Sequence, residues 1–240
     1  MVEIYSNDSL KIIQDKNNKT MYKIEFNYAC PWLVRSLTKT HIIQGGTITD
    51  DYLTVRFKSV SVVPLEVFME QHKKERGSKI VSINLLAKMI SSLSQQLSHI
   101  ISCESKTIIG YSAADVIVID GENFAFLDSE LVADIGPEGN DLARISSPFN
   151  IRYFFASPEL LMIKELPSQV HYKTSYFSLG CLLLYALTSS DNFYTEYLKE
   201  KKVSKIDEYL NQLHFKNTKL YWLLSRCLVE EPEKRSILFI

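Results

Sequence analysis

The chain has 240 residues, 46% of them apolar and 23% charged, with a formal net charge of −1. That length and balance suit one globular domain, or one two-lobed unit, with a real core. A near-neutral chain sets up no global basic field, so neither nucleic acid nor an anionic membrane surface is expected as a partner.

Residues 1–10 carry Glu3 and Asp8 and no apolar run, so no secretory signal is expected there. From Lys11 to Phe26 the pattern is mixed and fits no single element. Residues 38–43, then Gln44-Gly45-Gly46-Thr47, then residues 52–63 read as strand, tight turn and strand. Thr54, Val55, Phe57, Val60, Val62 and Val63 supply the β-branched and aromatic content of the second strand.

After Pro64 the period changes. Leu65, Phe68 and Met69 predict a short helix, with His72-Lys73-Lys74-Glu75-Arg76 as its solvated end and the following loop. Ile83, Leu86, Ile90, Leu93, Leu97 and Ile101 recur at steps of three and four, which predicts a long helix with one apolar face. Ser91, Ser92, Gln95 and Gln96 fall largely off that face. Val116-Ile117-Val118-Ile119, Asp120-Gly121 and Phe124-Ala125-Phe126-Leu127 predict a β-hairpin, because Asp-Gly accepts the positive φ angles of a type I′ turn.

Residues 134–157, with Gly136-Pro137 and Gly139, read as irregular. Beyond them the spacing predicts helices opening at Ser157-Pro158-Glu159-Leu160-Leu161, over residues 176–187 and over residues 220–228. The most apolar stretch, 177–187, is well short of the roughly 18 residues that span a bilayer, and reads as a buried helix. Cys30, Cys103, Cys181 and Cys227 are widely spaced with no C-x-x-C pair, so they read as reduced and mostly buried, as in an intracellular protein. The five histidines show no metal-ligand spacing.

That order, together with particular residues, resembles the eukaryotic protein-kinase family. Cys30-Pro31-Trp32-Leu33-Val34 resembles the family's H-P-N-I-V segment ahead of its fourth strand. Asp115-Val116-Ile117-Val118, Asp120-Gly121 and Leu127-Asp128 resemble the N-I-L-L, hairpin and D-F-G region. Ser157-Pro158-Glu159 is similar to A-P-E, and Tyr176-Phe177-Ser178-Leu179-Gly180-Cys181 to the W-S-L-G-C of the central helix. Residues 227–235, which end in Arg235, are similar to C-L-x-x-D-P-x-x-R. The resemblance spans about Cys30 to Arg235. It implies an α+β, bilobed fold with a shortened strand-rich front lobe (residues 1–63), a mainly helical back lobe (64–240), and Ser59 to Ser61 as the link between them. It also implies a buried ion pair between Glu159 and Arg235, and close backbone packing at Gly180.

The family's chemistry is mostly missing. Kinases act by positioning and charge stabilisation, through a Gly-rich loop, a strand lysine paired with a helix glutamate, a catalytic-loop Asp and Asn, and a metal-binding Asp. No glycine precedes Gly45, so the Gly-rich loop is absent. Few residues precede Cys30-Pro31, so the first strands and the regulatory helix are expected to be shortened or lost. Lys11 is the best stand-in for the strand lysine but reads more simply as a surface residue. Glu25 is its candidate partner, though very close to Pro31.

If Asp115 takes the Asn place, Ile108-Ile109-Gly110 takes the H-R-D place, so the catalytic carboxylate is replaced by Gly110. The phosphate-contacting lysine becomes Ser112. Only Asp128 keeps its identity, in Asp128-Ser129-Glu130 where the family has D-F-G. The expectation is therefore a catalytically inactive kinase-like protein, a pseudokinase, with no catalytic, cofactor or metal residues. It would act by binding a protein, as regulator of a kinase or as scaffold.

Two other readings stand beside it. Asp115, Asp120, Glu122, Asp128 and Glu130 form an acidic region that an atypical active kinase could use for metal. The apolar end Ile237-Leu238-Phe239-Ile240 suits a structural subunit inserted into a neighbour. An Ile-, Lys- and Asn-rich composition hints at an AT-rich genome, such as that of a large DNA virus or a compact-genome parasite.

Overall fold

The computed structural model describes residues 1–76, 82–137 and 140–237; Gly139 and the end of the apolar tail from residue 238 lie outside them. The fold is mixed α+β with antiparallel sheets. In chain order it runs β1 (Val2–Ser6), β2 (Leu10–Gln14), β3 (Met21–Phe26), α1 (Pro31–Lys39), β4 (Thr47–Ile48), β5 (Thr54–Lys58), β6 (Val62–Pro64), α2 (Leu65–Arg76) and α3 (Ile83–Glu104). It continues with β7 (Lys106–Ile108), β8 (Val116–Ile119), β9 (Asn123–Phe126), β10 (Val132–Ile135), β11 (Leu142–Ile145), α4 (Pro158–Leu161) and β12 (Ser168–His171). The helices α5 (Thr174–Thr188), α6 (Asn192–Glu200), α7 (Ser204–Gln212) and α8 (Lys219–Cys227) follow. These elements form two compact units, residues 1–105 with 113–130, and residues 106–112 with 131–237 of the described chain.

In the first unit a five-stranded sheet has the order β1-β2-β3-β5-β4, and a three-stranded sheet the order β6-β8-β9. Leu10, Ile12, Ile24, Val55 and Phe57 line the inner face of the larger sheet and bury against Leu33, Val34 and Leu37 of α1 and Ile117, Ile119, Ala125 and Leu127 of the hairpin. The hairpin is as the sequence predicts: Asp120 and Gly121 have φ of 56° and 67°, and Glu122 N–H donates to Ile119 C=O at 3.1 Å.

Several expectations are corrected here. Residues 38–43 are not a strand. Pro31 starts α1, whose buried Leu33, Val34, Ser36 and Leu37 form a helical face, and the β-branched Thr38 and Thr40 only close it. Three strands precede Cys30, so the front strands are present, and α1 follows them directly. Residues 52–63 divide into β5 and β6 around Ser59, Val60 and Ser61. The turn that pairs β4 with β5 lies at residues 49–53, where Tyr52 has φ 56°, instead of at Gly45-Gly46. The short helix after Pro64 extends to Arg76, so most of the basic run is helical. Part of the stretch expected to be irregular is the strand pair β10–β11.

The long helix α3 buries Leu86, Ile90, Leu93 and Leu97 as predicted, but it also buries Ser92 and Gln96. Gln96 is drawn inside by β9, the end strand of its sheet. Its Oε1 accepts from Phe126 N–H at 2.9 Å and its Nε2 donates to Phe126 C=O at 3.0 Å, so one amide satisfies both backbone groups.

The second unit carries a four-stranded sheet of order β12-β11-β10-β7 and the apolar helix α5. Gly180 lets α5 approach α8: a Cβ there would lie 2.8 Å from Cys227 Cβ and 3.1 Å from Leu228. Arg235 is 1% exposed. Its Nη1 and Nη2 donate to the two carboxylate oxygens of Glu159 at 2.5 and 2.8 Å, and its remaining N–H groups reach the carbonyls of Val229, Glu230 and Lys173. All five guanidinium donors are thereby used, and the guanidinium also lies 5.1 Å from the Phe177 ring centre. Cys30, Cys181 and Cys227 are buried thiols and Cys103 is exposed; none of the four is in a disulfide.

Glu159→Ala leaves the buried Arg235 charge without its carboxylate. Urea unfolding is expected to show a loss of about 3–5 kcal/mol. A loss below about 1 kcal/mol would mean that the four carbonyl and ring contacts suffice.

Candidate functional site

The hairpin of the first unit decides where the candidate acidic residues go. Asp115 ends a 3-10 turn just before β8, and Asp128 follows β9. Leu127 N–H donates to Asp115 C=O at 2.9 Å and Val116 faces Phe126, so the two aspartates come together at the open end of the hairpin. Asp120 and Glu122 lie at the turn end, about 13 Å away for a four-residue strand. The five acidic residues singled out from the sequence therefore do not make one site. Among the described residues no group of three or more His, Cys, Asp or Glu side chains is arranged to hold a metal ion.

Each aspartate is held by donors of the chain itself. Asp120 Oδ1 accepts from Ser59 Oγ at 2.7 Å, Val60 N–H at 2.7 Å and Ser61 N–H at 3.0 Å, which fastens the link between β5 and β6 to the hairpin turn. Asp128, 9% exposed, accepts from Glu130 N–H at 2.7 Å. Asp115 Oδ1 accepts from the Tyr5 hydroxyl at 3.4 Å, a long hydrogen bond.

Tyr5 is the residue that sequence reasoning missed. A bulge in β1 between Glu3 and Tyr5 re-aims its ring, and Asn7 Nδ2 donates to its oxygen at 3.1 Å. Burial first, then the charge of Asp115 and more weakly that of Asp128, hold the Tyr5 phenol above its ordinary pKa.

The turn after β1 needs no glycine, because Asn7 Oδ1 accepts from the N–H groups of Ser9 and Leu10, both at 2.9 Å. That turn is tied to the stretch after Asp128 by three hydroxyls. Ser129 Oγ donates to Ser9 Oγ at 2.8 Å, Tyr28 Oη and Ser129 Oγ share a short hydrogen bond, and Ser9 Oγ and Tyr28 Oη are 3.2 Å apart.

Lys11 and Glu25 do pair, at 2.9 Å, but as directly opposite residues of β2 and β3. Lys11 is exposed while its neighbours Leu10 and Ile12 are buried, so the pair lies on the outer face of the sheet. Lys23 also bonds Glu25, and the two lysines, Lys23 foremost, hold the Glu25 carboxyl below its usual range. The helix α1 contains no acidic residue to take the glutamate role.

In the second unit, Ile109 is buried and donates its N–H to Leu131 C=O at 2.8 Å, and Tyr111 N–H donates to Ser178 Oγ at 2.5 Å. Between them, Gly110 carries the buried ring of Phe154 directly against its Cα. A Cβ at position 110 would fall 1.9 to 2.5 Å from three carbons of that ring. Real Cβ atoms do not approach so closely. Neither a protein-family model nor a curated protein matches the chain.

Two predictions arise. Gly110→Ala must displace the Phe154 ring, and thermal unfolding is expected to show a loss of at least about 1–3 kcal/mol; the larger side chain of Gly110→Asp is expected to cost more. An Ala variant that melts with the wild type would show that the ring yields freely. The second concerns pH. Because the folded-state pKa of Tyr5 is raised, its contribution is fully present below the unfolded value of about 10 and is lost as pH rises beyond it. Tyr5→Phe is expected to lose stability less steeply than wild type above about pH 10, measured by urea midpoints. Parallel curves would contradict it.

Proposed function

We propose that this protein is a catalytically inactive kinase-like module, a pseudokinase, that acts by binding another protein, as regulator of a kinase or as scaffold. The observation that carries this reading is Gly110 under Phe154. In the alignment to the family's catalytic loop, the place of the carboxylate that orients the phosphate acceptor is a residue without a side chain. The adjoining ring leaves no room to regain one.

Support for the kinase-like scaffold comes from residues that hold a fold together. Glu159 and Arg235 pair as the family's motifs imply, Gly180 packs α5 on α8, and the hairpin sets Asp115 and Asp128 at one end. Support for the loss of chemistry comes from the Tyr5 hydroxyl on Asp115 and the hydroxyl cluster of Ser9, Tyr28 and Ser129. The separation of Asp120 and Glu122 from Asp115 weighs against an acidic metal site relocated on the same hairpin. A domain with several such losses lacks most of the positioning on which phosphoryl transfer depends. What remains available is surface. A stable partner is expected to bury about 1,200–2,000 Å² in total.

No helix among the described residues is long and apolar enough to cross a membrane.

The test is a transfer assay with γ-labelled ATP and magnesium on the purified chain, paired with thermal unfolding in the same mixture. The expected result is no label on the chain or on a generic acceptor protein, and no rise in melting temperature. Label transferred above a heat-denatured control would overturn the reading.

A further inference from the structure

The sheet of the second unit presents a polar row on its outer face. The register sets Lys106 of β7, Asp134 of β10, Arg144 of β11 and Gln169 of β12 side by side. Ala133, Ala143, Ile145 and Val170 are buried in an apolar cluster of the same unit. Asp134 is the natural partner for Arg144, directly opposite it, yet its carboxylate is bonded to Lys106. Among the described residues Arg144 takes part in no ion pair, and it is exposed.

Arg144 also borders an open cavity of about 450 Å³, whose other described lining residues are Pro167, Ser168 and Gln169. No acidic residue is among its described lining residues. A guanidinium fork, a hydroxyl and a side-chain amide thus border an open space with donors, and the carboxylate opposite Arg144, that of Asp134, is bonded to Lys106. That donor set suits a tetrahedral oxyanion, which accepts two parallel N–H bonds from arginine and further bonds from neutral donors. The volume falls in the range of ligand pockets, so the anion would arrive attached to something larger. The neighbouring strand β12 is at the end of its sheet, where an extended segment can run alongside.

We propose that this cavity binds the phosphomonoester of a phosphoserine or phosphothreonine carried in an extended peptide. Arg144 holds two phosphate oxygens, and Ser168 and Gln169 donate to the others. The proposal rests on the second unit alone and is independent of the pseudokinase reading. Phosphate transfer in the assay above would leave it standing, and its own failure would leave that reading standing.

The test is fluorescence anisotropy of the full chain with a labelled, degenerate phosphoserine peptide pool, beside the unphosphorylated and glutamate-substituted pools. Saturable binding is expected for the phosphorylated pool only, weakened at least about tenfold by Arg144→Gln, the scale of one charge-assisted bond pair. Arg152→Gln, at an exposed arginine outside the cavity lining, is expected to bind as wild type, and melting temperatures check that both variants fold. Inorganic phosphate is expected to compete only at much higher concentration than the peptide. No saturable binding, equal binding of the glutamate or unphosphorylated pool, or an unaffected Arg144→Gln would each overturn the proposal. Competition by inorganic phosphate as strong as by peptide would overturn the peptide part of it.

Discussion

A carboxylate drawn against the chain finds donors there, and around the β8–β9 hairpin the protein supplies them from its own groups, to exposed Asp120 as to the more buried Asp115 and Asp128. Asp120 takes three from Ser59, Val60 and Ser61, Asp128 takes the Glu130 N–H, and Asp115 takes the Tyr5 hydroxyl. Each bond stabilises by its charge-assisted character, and each also fixes a piece of backbone. Asp120 fastens the β5–β6 link, and Asp115 fastens β1. The same contacts that organise the first unit therefore use the acidic groups that a kinase-like site would direct at metal and phosphate.

The second unit repeats this division with different groups. Arg235 is fully desolvated and all its donors are satisfied, so it acts as a keystone between α4, α5 and the segment after α8. Gly110, by contrast, is a position from which a side chain is excluded. Phe154 packs there with Phe149 and adds to the apolar cluster of Ile109, Ala143 and Leu160. In the proposed reading, residues that hold the scaffold are retained and positions that perform transfer have been given over to packing. Such exchange is a known direction of drift when stability is selected and activity is not.

How far the sequence reaches follows from the range of each interaction. The β8–β9 turn was legible because Asp-Gly states its own backbone geometry. Helix α3 was legible because its apolar period is long and regular, and Glu159 with Arg235 because motif positions identify both. Helix α1 was hidden by Thr38, Thr40, Ile42 and Ile43, whose β-branched side chains favour strand when read alone, while burial of Leu33, Val34 and Leu37 decides for helix. Gln96 looked like a surface residue because its reason for burial, the backbone of Phe126, belongs to another element. Strands β10, β11 and β12 have four residues each, too few for a period to declare itself. Gly110, Asp115 and Asp128 were singled out by the motifs the sequence resembles, whereas Tyr5 acts on a residue 110 positions away and Phe154 meets Gly110 only once the chain has folded.

The central claim is that Asp115 and Asp128 are satisfied within the protein and do not take up a divalent cation. The most direct measurement is amide NMR of the full chain during titration with manganese, in the presence of ATP, since manganese favours carboxylate oxygens and broadens nearby signals. The account predicts that the amides of Tyr5, Asp115 and Asp128 keep their intensity while exposed acidic positions broaden weakly and together. Selective, saturable loss of the Asp115 and Asp128 signals at low manganese would contradict it.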